Sequence, residues 1–210
     1  DLRIRDRILL KDVKNISYLN SRANLLMIDV DNKLYKTRSG RGNGTPVEIT
    51  FPDGVEIIPD SLNNDGDNNR FALIDEEGKL WIIKGTTPEM VDDFPTSFYE
   101  ENKIIDVSVG NNFVMAISEN RKVWSWGSNK HGKLGLEGVS IDVDVSEPKK
   151  ITRNGEELTN IQTIAAGQHF SIIVQNTDEG QLVWSSGRNN SGQLGGGLQI
   201  RYEVPKLVPG

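Results

Sequence analysis

The chain contains no cysteine, which removes disulfide frameworks, thiolate nucleophiles and Cys-ligated zinc or iron–sulfur centres together. Histidine is nearly as scarce. His131 and His169 are the only two, too few for a His-based metal centre, and no cofactor is expected. No apolar run approaches the ~18 residues that a membrane helix needs, so no membrane contact is expected. Positive charge is in deficit, with 24 Lys and Arg against 30 Asp and Glu and a formal net charge of −6. That balance argues against a whole-domain electrostatic grip on nucleic acid. The sequence opens on Asp1, not Met, so the lack of a signal peptide does not decide the compartment.

What is present is glycine, 21 residues of it, in a chain only 36% hydrophobic, which describes a turn-rich globular protein. The glycines mark an internal repeat. IIDVSVGNNFVMAISENRKVWSWGSNKHGKLG, from Ile104 to Gly135, matches IQTIAAGQHFSIIVQNTDEGQLVWSSGRNNSGQLG, from Ile161 to Gly195. Gly110 pairs with Gly167, and Gly127, Gly132 and Gly135 pair with Gly187, Gly192 and Gly195. The extra residues of the second copy fall in the turn around Asn176 to Gly180, where a duplicated β-unit tolerates insertion best. Two worn copies precede these, FALIDEEGKLWIIKG with Trp81 and LLMIDVDNKLYKTRS with Tyr35, both lacking the Gly-rich ending.

Each copy reads as a small antiparallel sheet. Phe113 to Ile117 and Phe170 to Val174 have the length of one buried strand; a polar turn and an aromatic-bearing run complete a hairpin. Ile104 to Val109 and Ile161 to Ala166 supply a preceding strand. EPKKI and EVPKLV, each with a Pro, suit an edge strand. No window sustains a helical stripe; the nearest signal is one turn at Pro88 to Asp93. Four short strands per unit of roughly 50 residues is the pattern of a propeller blade. The expected class is all-β, with four-stranded antiparallel β-propeller blades in a partial ring. The blades fall near 13–45, 46–90, 104–138 and 161–197 of a single propeller-type domain spanning 1–210.

The endings WGSNKHGKLG and SGRNNSGQLG, preceded by VGNNFVMAI and AAGQHFSII, resemble repeats of the regulator of chromosome condensation family. The resemblance is specific over 104–210 and covers Leu134-Gly135, Leu194-Gly195 and His169; the third copy departs by carrying Asn112 where the fourth has His169. It implies a seven-bladed propeller. Four copies leave such a ring open, and VPKLVPG, within 198–210, reads as the start of a further repeat. The remaining blades are therefore expected from the same protein or from another chain. Glycine is expected at strand ends for positive φ and close backbone approach, with the later glycines shaping a loop on the neighbouring blade.

Other constellations read as solvated surface. Asp65, Asp67, Asn69 and Glu76 imitate a calcium loop, but Arg70 stands where that loop requires Gly. Gly40 to Gly44 has no following Lys-Ser or Lys-Thr for a phosphate. Arg3, Arg5 and Arg7 alternate as in a strand and interleave no aromatics for base stacking. The acidic stretch Glu137 to Glu147 reads as a charged edge strand, with a docking strip for a basic partner as the alternative. No catalytic or metal-ligating set emerges.

The expected function is a non-enzymatic platform whose turns bind a protein partner, such as a substrate-recognition module of a ubiquitin ligase complex inside the cell, in cytoplasm or nucleus. The resemblance also implies two alternatives, a guanine-nucleotide exchange factor or regulator of a small GTPase, and a protein inhibitor of an enzyme. The expected contacts are the turn residues Asn111, Asn112, Lys130, His131, Gln168, Arg188 and Asn189.

Overall fold

The computed structural model describes residues 13–18, 25–37, 46–64, 70–141, 143–195 and 200–209. The calcium-like segment from Asp65 to Asn69, the glycine run at 40–44 and Arg3, Arg5 and Arg7 lie outside them. The described chain is all-β, built of four-stranded antiparallel sheets of the propeller-blade type. None of its helices is long and apolar enough to cross a membrane.

Two compact units divide the chain, Asp1–Val91 and Asp92–Gly210. In the first, β1 (Val13–Tyr18), β2 (Leu25–Asp29), β3 (Leu34–Lys36) and β4 (Val47–Ile49) form one meander. A second contains β5 (Asn63–Asn64), β6 (Arg70–Ile74), β7 (Leu80–Lys84) and β8 (Thr87–Met90). Leu26, Ile28 and Leu34 of one sheet share a core with Phe71, Leu73, Trp81 and Ile83 of the other. Val47–Ile49 closes the first sheet rather than opening the second, because it pairs with β3 from Leu34↔Ile49 to Lys36↔Val47.

In the second unit, a one-turn helix α1 (Phe98–Glu101) precedes β9 (Ile104–Gly110), β10 (Phe113–Ser118), β11 (Val123–Ser128) and β12 (Asp144–Lys150). A small hairpin, β13 (Thr152–Arg153) and β14 (Glu156–Glu157), leads to β15 (Ile161–Ala166), β16 (Phe170–Thr177), β17 (Gly180–Arg188) and β18 (Arg201–Leu207). The two long sheets copy each other's register: Phe113 faces Gly127 as Phe170 faces Gly187. β18 pairs with β17, so EVPKLV is the outer strand of the fourth sheet and not the start of another repeat. The helical turn lies at Phe98–Glu101, where Phe98 stacks on Phe94 at 4.3 Å. Thr87–Met90, overlapping the stretch with the nearest helical signal, is instead drawn into pairing with β7.

A polar contact recurs in each four-stranded sheet, buried at Trp81 and Trp124 and part-buried at Trp184. Trp81 Nε1 donates to Asp75 at 2.8 Å, Trp124 Nε1 to Ser118 at 3.2 Å and Trp184 Nε1 to Gln175 at 2.9 Å. In the first sheet Tyr35 bonds to Asp29, and its hydroxyl is pushed up to about 12 by burial and then by that carboxylate. Asp29, Asp75 and Ser118 sit at or next to the end of the second strand and Gln175 two residues inside it, with each donor in the third strand, so one side chain satisfies the other across the hairpin. Asp29 and Asp75 also accept backbone N–H groups of their turns, from Lys33 at 2.9 Å and Lys79 at 2.8 Å. A buried donor left unpaired costs about 1–3 kcal/mol, which explains why the position stays polar in all four copies.

Candidate functional site

Four turns of the second unit meet at one end of its two sheets, and they contain every sequence-predicted contact residue. The β9–β10 turn carries Asn111 and Asn112, the stretch after β11 Lys130 and His131, the β15–β16 turn Gln168, and the end of β17 Arg188 and Asn189. The backbone ties them together. Ser128 N–H donates to Asn112 O at 2.8 Å, Arg188 N–H to His169 O at 2.8 Å, and Asn111 N–H to Gly167 O at 3.4 Å. Ser108 Oγ accepts from Ala166 N–H at 2.9 Å, joining the first strands of the two sheets.

Glycine allows this crowding for two different reasons. Gly127 and Gly187 have φ of +105° and +106°, and a Cβ on Gly187 would collide with the His169 carbonyl. Gly110 and Gly167 do not lie at positive φ; they leave room for the Phe113 and Phe170 rings, which a Cβ would strike. The expectation of positive φ at strand ends thus holds for Gly127 and Gly187, while ring packing governs Gly110 and Gly167. Gly132 brings its loop against the backbone of Glu203 in β18, with a would-be Cβ at 2.5 Å, so this loop does pack on the next sheet.

The side chains separate into exposed and structural groups. Asn112, Lys130 and Gln168 are exposed, and Asn111, His131 and Arg188 are half-buried. Asn189 corrects the expectation of an exposed tip: it is 3% exposed, and its Oδ1 accepts from Leu194 N–H at 2.9 Å. Asn129 does the same for Leu134 at 3.2 Å. Ser125 and Ser185 hold the carbonyls of Leu134 and Leu194, so each Asn–Ser pair fixes one Gly-rich loop. These four residues were missed as structural, although their matching places in the two copies were the available signal.

Around the exposed group lies a cluster of basic side chains. The His131 and His169 rings meet edge-on at 5.5 Å. Burial and then the positive charges of their neighbours hold both imidazoles below the usual histidine range. Lys133, buried beneath, donates to Asn111 O and lies 5.1 Å from the Phe113 ring centre. Burial pushes its ammonium down to about 8, against a smaller upward pull from Asp144. Of the acidic stretch, Asp144 reaches this cluster through its charge on Lys133, while Glu137 faces elsewhere. Glu137 turns onto the β13–β14 hairpin and accepts from Asn154 N–H at 2.7 Å and Gly155 N–H at 2.9 Å. Among the described residues no group of three or more His, Asp or Glu could hold a metal ion.

Two family models described as Regulator of chromosome condensation (RCC1) repeat match the chain, one over residues 122–174 and one over 104–133. Residues 104–174 thus match the regulator of chromosome condensation repeat. The matched repeats contain the turns that carry Asn111, Asn112, Lys130, His131 and Gln168. Among curated relatives, human E3 ubiquitin-protein ligase HERC2 is 34% identical over 110 residues, 51% of this chain and 2% of that protein. Protein RCC2 homolog of Xenopus laevis is 31% identical over 144 residues, 62% of this chain and 26% of that protein. The chain therefore spans a small part of these repeat-bearing relatives. Of solved structures, human WBSCR16 superposes with a TM-score of 0.70 at 16% identity, covering 99% of this chain and 55% of that one. Prp20p from Saccharomyces cerevisiae superposes at 0.64 and 18% identity, covering 88% of this chain and 49% of that one. At such identities the likeness is one of fold.

Proposed function

We propose that this chain is a non-catalytic recognition module. In this reading it contributes repeat blades to one propeller-type domain, completed by further blades of the same protein or of another chain. The observation that carries the reading is the convergence of Asn111, Asn112, Lys130, His131, Gln168 and Arg188 around the His131–His169 contact. Rigid sheets hold these turns while leaving polar side chains outward, an arrangement suited to gripping another protein's surface. Its setting is a ubiquitin ligase of the cytoplasm or nucleus, in which the module selects the substrate. The support is the likeness to HERC2, with human HERC6 at 39% identity over 93 residues beside it.

A second reading is favoured by the fold likeness to Prp20p, a protein with binding properties to Gsp1p and histones: the chain would regulate a small GTPase. Inhibition of an enzyme ranks third, since the exposed tips are Asn, Lys and Gln rather than aromatic. Two assays separate the first two. The full-length protein is expected to leave nucleotide release from small GTPases unaccelerated. Ubiquitin conjugation of co-purifying proteins is expected to fall when Asn112, Gln168 and Arg188 are all changed to Ala. Accelerated release with unchanged conjugation would replace the first reading by the second.

A further inference from the structure

The cluster at the turns has an unbalanced charge. Lys84, Lys122 and Lys150 each meet a carboxylate elsewhere in the chain. Among the described residues Lys130 and Arg188 have no ion-pair partner. The charges acting on His131 come from His169, Arg188, Lys130 and Lys133, and those acting on His169 from Lys133, Arg188 and Lys130, and all are positive. Of the neighbouring carboxylates, Glu203 pairs with Arg201 at 2.9 Å, and the exposed Asp144 acts on the buried Lys133. His169 Nδ1 is buried with no hydrogen-bond partner. All of this occurs in a protein whose net charge is −6. Assembling like charges from several separate turns costs free energy that a counter-charge from outside recovers.

Resting on the reading of these turns as the protein-binding end, we propose that Lys130, His131, His169 and Arg188 receive a carboxylate-rich segment of the partner protein. Lys130 and Arg188 supply charge-assisted hydrogen bonds, and the exposed amides of Asn112 and Gln168 flank them. A nucleic-acid backbone fits less well. Strong phosphate binding uses roughly 6–10 contacts, and here one of the three permanent charges, Lys133, is itself buried. The imidazoles add a pH dependence. Both lie below the usual histidine range, and a seated carboxylate favours their protonated form, so binding tightens on acidification.

Fluorescence anisotropy of a labelled peptide of alternating Asp, Glu and Ser, titrated with the full chain at low ionic strength, tests this. The same peptide with Asn and Gln for its acids and a single-stranded oligothymidylate serve as comparisons. The acidic peptide is expected to bind at least about tenfold tighter than its amide counterpart. K130E and R188E are each expected to weaken it about tenfold or more, and H131Q/H169Q to flatten the gain at low pH. Lys130 is exposed, so K130E remains informative if R188E melts early. Equal binding of the amide peptide, tighter binding of the oligothymidylate, or undiminished affinity in K130E would overturn the proposal. Such a failure leaves the ubiquitin-conjugation result standing, whereas loss of that result with intact peptide binding would overturn only the ligase reading.

Discussion

Gly187 and Asp75 illustrate how single residues set this architecture. At Gly187 an alanine would face both φ of +106° and the carbonyl of His169, and neither can yield without moving the β15–β16 turn. Gly187→Ala is expected to cost about 1–3 kcal/mol in urea unfolding. Gly54→Ala, at φ +83° with nothing within 4 Å of its Cβ, should cost less. Asp75 is 3% exposed and serves Trp81 and the Lys79 amide, so Asp75→Ala should lose about 1–3 kcal/mol in the same measurement. The glycines were legible in the sequence because only one residue type fits those places. The acceptors Asp29, Asp75, Ser118 and Gln175 were not, since a carboxylate, a hydroxyl and an amide all accept the same hydrogen bond and share no letter. Asn189 misled for a related reason: an Asn in a turn reads alike whether its amide faces water or caps a loop.

Hairpins are the element that repeats most faithfully. β10–β11 and β16–β17 keep one register although the second has longer strands and a tighter turn, because the Phe113–Gly127 and Phe170–Gly187 pairs fix it at the other end. The strands of the hairpins were legible as Val- and Ile-rich runs beside an aromatic residue. The outer strands were harder: β4 has three residues and β18 carries Pro205, so neither has a pattern that distinguishes the end of one sheet from the start of the next. The first hairpin also predicts a pH effect. The Tyr35 phenol ionises near 10 when unfolded and at about 12 when folded, so its contribution to stability is complete below pH 10 and is lost as pH rises towards 12. Thermal melts from pH 9 to pH 12 should show that loss, and Tyr35→Phe should reduce it.

Across the whole molecule, the negative net charge and the basic turn cluster pull in opposite directions. The former keeps the protein away from nonspecific polyanions, and the latter concentrates positive charge where Asn112, Lys130, Gln168 and Arg188 lie near one another. The candidate residues were readable as turn positions in a repeat. Their meeting was not, because it depends on Gly110, Gly127, Gly167 and Gly187 letting four separate turns approach. The central claim is that protein recognition occurs at this end of the β9–β12 and β15–β18 sheets. Photocrosslinking from the full-length protein in cells tests it most directly, with a benzophenone amino acid placed at Asn112 or Gln168 and, in parallel, at Glu119 or Asp178 in the hairpin turns of the opposite end. Partner adducts from Asn112 and Gln168, lost on adding K130E, are the predicted result. Adducts confined to Glu119 and Asp178 would contradict it.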